Sequence, residues 1–476
     1  MSDTARITLI RGGTVWTGGA APRVQRADVV IADGVIAAIE PNYQGRWDTE
    51  IDAGGCLVAP GLVNAHVHPG ATARARGVAE DLEINPDAAF YHNLGGLLRF
   101  GLEELTRDEF GALLAWDAAE MLLGGATTLI AEMIVAEEHG MHLQWLDVAK
   151  QLGFRAQLGL TYPNRVGAIG SMQGGKIVKG DPGDVAGAFA AALRLHETHN
   201  GGLDGRLRVH LSPHGPDTVP EEILRATKQE CAARGIHAHL HLAQHLSEVR
   251  TVQARHGTSP VRYLHDIGFL GPDVMATHVT YVDEADIALL AASGTHVVHC
   301  SYRKAKEAIT SPFQEFLAAG VNVAIATDSF SHDLILDLKL ACLLGKIRGG
   351  KVGQPTAQQA LVAATHGAAR ALGRPDLGRL EPGARGDVMV VSLQSPFVAP
   401  VFDPVRALVY YGSASDIRHT LVDGEAVVRN GKLAGLDLDA LRPQVEAACA
   451  RLWELAQSRG VLPGGVSFDP ICCGAH

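Results

Sequence analysis

No Cys-x-x-Cys pair occurs in the 476 residues, and of the seven cysteines only Cys472 and Cys473 lie close together. That excludes a cysteine zinc cluster and a disulfide framework as organising devices, and it leaves reduced thiols as the expectation. A basic excess is missing as well, since 41 Lys and Arg face 52 Asp and Glu for a net charge of -11. A phosphate-backbone partner calls for a basic face, so nucleic acid is set aside. No uninterrupted apolar run reaches the roughly 18 residues of a membrane span. The start, Met1-Ser2-Asp3-Thr4-Ala5-Arg6, lacks the basic-then-apolar order of a signal peptide. The expectation is a cytoplasmic protein without a membrane partner. Low-complexity segments and short internal repeats are also lacking. What the chain does have is core, with 47% hydrophobic residues and length enough for one large domain and a smaller one.

Residues 6 to 58 read as short alternating strands broken by turn signals: Ile7 to Ile10, a turn at Gly12-Gly13, Val29 to Ile31, a turn at Asp33-Gly34, then Val35 to Ile39. From residue 60 the pattern changes to apolar strands separated by long helical segments, the mark of parallel βαβ units. Eight strand candidates follow: Leu62–His68, Thr127–Glu132, Phe154–Leu160, Leu207–Leu211, Ile236–Leu242, Val274–His278, Thr295–His299 and Val321–Thr327. Eight such units predict a closed (β/α)8 TIM-like barrel. Two of the helices are marked at their ends. Thr106-Arg107-Asp108-Glu109 forms a capping box, and Thr218-Val219-Pro220-Glu221 opens a helix stopped by Gly235.

After Gly386 strands return: Asp387–Leu393, Val405–Tyr411, Ile417–Val422 and Ala426–Val428, with a hairpin turn at Asp423-Gly424. They are expected to rejoin the N-terminal strands in a small β-sandwich built from both chain ends. The predicted division is 1–58 and 386–436 for the sandwich, 59–385 for the barrel, and 437–476 for a final helix (about 439–458) and a tail loose beyond Gly464.

The chemistry gathers at strand ends. In a strand, side chains two apart share a face, so Pro60-Gly61-Leu62-Val63-Asn64-Ala65-His66-Val67-His68 presents two imidazoles side by side. His237-Ala238-His239-Leu240-His241 puts three histidines on one face with His241 outermost; strand six ends in His278, and strand eight runs into Asp328. A single polar residue at a strand end is ordinarily no more than that, and His237 and His239 read as satisfied barrel-interior residues. Convergence changes the weighing, because barrel sites lie at the C-terminal mouth, where His66, His68, His241, His278 and Asp328 fall. Three imidazoles and one carboxylate suit one divalent ion, Zn²⁺ first and Mn²⁺, Fe²⁺ or Co²⁺ after it, with a position left for water.

These segments, together with Ser212-Pro213-His214-Gly215-Pro216-Asp217-Thr218-Val219, Tyr263 to Pro272, Ala276-Thr277-His278 and Ala326-Thr327-Asp328-Ser329, resemble the amidohydrolase superfamily. Within it they are similar to the atrazine-chlorohydrolase and adenosyl-deaminase group. The resemblance implies that His66, His68, His241 and Asp328 bind one metal, and that His278 hydrogen-bonds the reacting water or substrate. Two-metal members carry a carboxylated lysine at the end of strand four. Here that stretch is Val209-His210-Leu211-Ser212-Pro213-His214, without lysine, so one metal is expected.

One position departs from the pattern. Deaminases of this kind carry a glutamate three residues after the strand-five ligand, and here Gln244 stands there. An amide does not titrate, so it cannot carry a proton to a ring nitrogen. The substitution resembles the molinate and phenylurea hydrolase branch. The implied activity is hydrolysis, by an activated water, of a non-peptide C–N bond of amide, urea or (thio)carbamate type in a small, largely apolar substrate. The alternatives are deamination or dechlorination of an N-heterocycle, or a metal-binding barrel without turnover. Asp328, His278 and Gln244 are the expected catalytic residues, and Glu248 is the nearest carboxylate that could replace the missing glutamate. His214, His299, Arg76 and Tyr302 are weaker substrate-binding candidates; Arg74, Arg303 and Lys304 lie beside them. A homo-oligomer is the expected assembly.

Overall fold

All eight barrel strands form where the apolar runs lie. The structure is a computed structural model that describes residues 5–76, 99–134, 137–164, 171–173 and 176–460. Strands one to four are Leu62–Val67, Ala126–Met133, Arg155–Tyr162 and Leu207–Val209, paired in parallel in that order. Strands five to eight are Ala238–Leu242, Val274–His278, His296–His299 and Val323–Ile325, also parallel neighbours. Parallel bridges Leu211–Ala238 and Val67–Asp328 carry the ring from strand four to strand five and from strand eight back to strand one. Every residue of strands one, two, three and five is buried, as expected when helices cover the outside and side chains fill the inside. Gly159 shows how tight that interior is. A Cβ there would lie 2.4 Å from His210 Nε2, so strand three leaves room for the imidazole of strand four.

The marked helices form as read. Thr106 and Glu109 close a capping box before Arg107–Leu123, and Glu221–Arg234 ends at Gly235 with φ 63°. The last helix, Leu438–Ser458, lies against Arg107–Leu123, with Arg451 Nε bonded to Glu109 Oε1 at 2.7 Å. The tail beyond Gly464 lies outside the described residues.

The strands of both chain ends join in one nine-stranded sheet. Cys56–Pro60 is the joint: it runs parallel to Ile7–Trp16 on one side and antiparallel to Val388–Ser392 on the other. The sheet wraps an apolar core of its own, including Ile10, Val15, Val29, Ile31, Val58, Val388, Val390 and Leu421. Asp423 (φ 51°) and Gly424 (φ 75°) turn the expected hairpin, both left-handed as a two-residue hairpin turn requires.

Two expectations about these end segments fail. Gly12-Gly13 is not a turn but a bulge inside the continuous strand Ile7–Trp16, where the register shifts. The Asp28 carboxylate accepts the Gly12 N–H at 2.7 Å, replacing the ladder bond the bulge gives up. Val405–Tyr411 is not a strand but part of the helix Pro404–Tyr411. Its apolar residues fit either period, and the end decides: Asp403 accepts from the backbone of Val405 and Arg406, and Pro404 occupies the first turn.

A buried ion cluster ties the sheet to the barrel. Arg155, which begins strand three, holds Asp387 through two bonds of 3.1 and 2.8 Å and Asp423 through a third of 2.7 Å. Removing one partner from such a buried cluster typically costs about 3–5 kcal/mol, because the remaining charge stays out of water.

Candidate metal centre

The C-terminal mouth of the barrel is held in a strained backbone. His278 has φ 75° and Asp328 φ 61°, while Ala243, just past strand five, has φ 46°. Left-handed conformations in residues with a Cβ cost of the order of 1 kcal/mol or more and persist where the surroundings fix them. Here the fixing bonds are visible: Asp328 N–H donates to His66 O at 3.0 Å, His68 N–H to Asp328 O at 3.3 Å, and Val279 N–H to Leu242 O at 3.0 Å. Beneath them the Asn64 side chain donates to Thr327 Oγ1 at 2.7 Å and accepts from the Thr327 backbone N–H at 3.0 Å, locking strand one to strand eight.

This backbone brings the predicted residues together. The ring of His66 lies 4.7 Å from that of His68, 4.9 Å from His241 and 6.0 Å from His278. Asp328 closes the group, with Oδ1 3.8 Å from His68 Nε2 and Oδ2 3.4 Å from His278 Nε2. Donor atoms of His66, His68 and Asp328, and separately of His66, His241 and His278, lie within 4.8 Å of one another. Both ring nitrogens of His66 and of His278 are buried without a hydrogen-bond partner among the described residues. Burial holds the His66, His241 and His278 imidazoles well below their ordinary pKa, so they are neutral donors with lone pairs to give. Buried neutral imidazoles beside a carboxylate fit a divalent ion.

Around this centre the other candidates divide. Gln244 is buried just past strand five, and its position is fixed through its backbone: the N–H donates to Glu248 Oε2 at 2.7 Å, and the carbonyl accepts from Lys304 Nζ at 3.0 Å. No hydrogen bond engages its side-chain amide among the described residues. Glu248 is fully committed, with Oε1 accepting from Ala243 N–H at 2.7 Å and Oε2 from Gln244. Burial and Asp217 push its carboxyl up to about 8 against these two donors. Glu248 therefore holds the loop through both of its oxygens.

His214 stacks on His241 at 4.8 Å and is anchored by Thr218 Oγ1 at 3.0 Å; burial lowers its pKa to about 4. His299 is buried at the end of strand seven, its ring 5.0 Å from that of Phe313, and burial alone brings it to about 4. Tyr302 is half-buried, its backbone N–H held by Asp337 at 2.9 Å. Arg76 does not join the cluster. Its half-exposed guanidinium pairs with Glu120, whose other oxygen accepts the His332 N–H.

Three charged residues matter more than the sequence suggested. Arg303 and Lys304 are both buried and share Glu307, at 2.6 and 2.9 Å, and Arg303 Nε lies 3.7 Å from Asp328 Oδ2. The third is Glu132, at the end of strand two, wholly buried against the histidines. The rule that pointed to His278 and Asp328 also applies to Glu132, since it too is a polar residue closing an apolar strand.

A mouth of this make belongs to the metal-dependent hydrolases that cleave carbon–nitrogen bonds other than peptide bonds in small molecules. Known proteins bear this out. A 5-methylthioadenosine/S-adenosylhomocysteine deaminase of Haloarcula marismortui is 33% identical, over 92% of this chain and 98% of its own. A 5'-deoxyadenosine deaminase of Methanosarcina acetivorans is 31% identical, over 90% of this chain and 94% of its own. Among solved structures, an adenosine deaminase from Xanthomonas campestris with bound zinc superposes with a TM-score of 0.82 at 25% identity, covering 94% of this chain and 98% of that one. The zinc complex of an atrazine chlorohydrolase from Arthrobacter aurescens shares the fold, with a TM-score of 0.82 at 24% identity over 93% and 100% of the two chains. Residues 57–427 match the amidohydrolase family, and the chain belongs to it.

Proposed function

We propose that His66, His68, His241 and Asp328 hold one divalent ion, zinc by its donor set, and that the enzyme hydrolyses an amide-, urea- or carbamate-like bond in a small, largely apolar substrate. The ion, when bound, supplies Lewis acidity and a water acidic enough to react near neutral pH. The chain supplies the rest. Asp328 takes the proton from the attacking water and returns it to the leaving nitrogen. His278, neutral and 3.4 Å from Asp328, donates to the oxygen on which charge develops. Gln244 presents its side-chain amide to the substrate, while Glu248 and Lys304 hold its backbone still.

The observation that carries this reading is Gln244 together with the engaged Glu248. Protonating a ring nitrogen needs a titrating group at that place, and here an amide occupies it while the neighbouring carboxylate is tied to two backbone N–H groups. A second reading, deamination of an adenosine-type nucleoside, is favoured by what the relatives are named for. Turnover of the zinc-loaded enzyme on a panel of anilides, ureas, carbamates, aminotriazines and adenosine-type nucleosides separates the two. The expected result is a higher kcat/KM for one of the first three classes, and faster deamination of a nucleoside or triazine would reverse the order.

Among the described residues, no helix is long and apolar enough to cross a membrane, and none of the five described cysteines is in a disulfide. The reading is a cytoplasmic homo-oligomer. The packed helices Leu334–Gly349 and Pro404–Tyr411 expose Leu343, Ile347 and Tyr411, apolar surface that a second copy would cover. Sedimentation equilibrium should give a multiple of the 50.3 kDa chain mass, and a monomer at micromolar concentration would count against it.

A further inference from the structure

Glu132 faces the histidines in an ordered way. Its backbone carbonyl is 3.0 Å from Nδ1 of His68. Its carboxylate lies 3.7 Å from Nδ1 of His66, 3.8 Å from Nδ1 of His241 and 3.2 Å from Nδ1 of His239. All four approaches are to Nδ1. His241 Nδ1 also has the His214 carbonyl at 3.2 Å, and Nε2 of His239 is taken by Thr277 Oγ1 at 2.8 Å. An imidazole whose Nδ1 faces an acceptor keeps its proton there and turns its Nε2 lone pair the other way. Glu132 thus faces the Nδ1 of each proposed ligand histidine, through its carbonyl for His68 and through its carboxylate field for His66 and for His241, whose Nδ1 proton the His214 carbonyl also holds.

Charge points the same way. Asp328 offers one negative charge against the two of a divalent ion, and part of that is shared with Arg303 at 3.7 Å. The site is buried, where an uncompensated charge is expensive. Glu132, 0% exposed and facing the Nδ1 side of the histidines, is placed to supply the second negative charge. Without an ion the same carboxylate is poorly hosted. On its strand face Ile130, with Val298 and Ala326 from other strands, makes an apolar cluster around the barrel interior, and neither carboxylate oxygen has a hydrogen-bond partner among the described residues.

We propose that Glu132 is the positioning residue of the metal centre: it does not coordinate the ion but orients and charge-compensates the histidines that do. This rests on the one-ion reading above. The roles make opposite predictions for the metal-free protein. A residue kept for folding should destabilise the apo-protein when replaced. A residue kept for the ion should leave the apo-protein unharmed, or more stable, and weaken metal binding, and outer-shell partners of this kind are worth about 10–100-fold in affinity.

The experiment uses full-length protein stripped with a chelator. Zinc dissociation constants are measured by competition with a chromophoric chelator, and apo thermal midpoints are measured alongside, for wild type, Glu132→Gln and Glu132→Asp. The expected result is zinc affinity lowered about 10–100-fold in Glu132→Gln, with an apo midpoint equal to or above wild type, and a smaller loss in Glu132→Asp. Glu132→Gln affinity within three-fold of wild type overturns the proposal, as does an apo form that unfolds while wild-type apo-protein does not. Two zinc ions per wild-type chain with one lost in Glu132→Gln would make Glu132 a ligand and overturn it too. Failure of the wild type to bind zinc would instead remove the one-ion reading on which it stands.

Discussion

Replacing His66 with alanine should abolish both metal binding and turnover. His66 is central to the cluster: its ring is within 5 Å of those of His68 and His241, and its two nitrogens have no hydrogen-bond partner among the described residues. Alanine removes a ligand outright, so affinity should fall by more than the roughly 100-fold that loss of an outer partner can cause. Asp328→Ala should be as inactive while keeping part of its metal, because three imidazoles remain and the group that moves the proton is gone. Elemental analysis of the wild type should find about one divalent ion per chain, and chelation should silence the enzyme until zinc is restored. Two ions per chain, or full activity in either variant, would sink the assignment.

Gln244→Glu should shift the enzyme toward deamination. Attack on an aminoheterocycle costs aromaticity unless a ring nitrogen is protonated, and a positioned acid is typically worth about 10²–10⁴ in rate. An amide, urea or carbamate asks less at that place, since its oxygen can be stabilised by His278 and its nitrogen protonated later by Asp328. The variant should therefore gain on aminotriazines and adenosine-type nucleosides, by up to that factor, and gain little on amides and ureas. In the wild type both Glu248 oxygens hold the backbone at 2.7 Å. If the wild type already deaminates as fast as the variant, another group carries the proton and the inference from Gln244 is wrong.

Most of the barrel and most of its mouth were legible in the amino-acid order, for a local reason. Strand alternation acts between residues two apart, which is why His66 and His68, or His239 and His241, could be placed on one face without coordinates. A capping box acts over three residues, and Thr106 with Glu109 marked a helix start that the structure keeps. Where local rules tied, they misled: the apolar spacing from Val405 to Tyr411 fits a strand as well as a helix, and the cap by Asp403 with Pro404 settles it. Gly12-Gly13 has turn composition, yet the Asp28 carboxylate makes it a bulge.

What only the tertiary structure decided is the set of contacts that ring closure makes between distant residues. Asn64 meets Thr327 across 263 positions, and strand eight meets strand one at Asp328 and Val67. No period in the sequence encodes such a pairing, because it depends on how many strands intervene and how each is staggered. The same closure turned Arg76 to Glu120 rather than to the histidines, engaged Glu248 with backbone, and set Glu132 against four imidazoles at once. The sequence by itself determined which side chains end the strands. How deeply each of them is buried and which neighbour each ring nitrogen faces was decided by the closed barrel, since burial and the direction of each ring nitrogen exist only once the strands stand side by side.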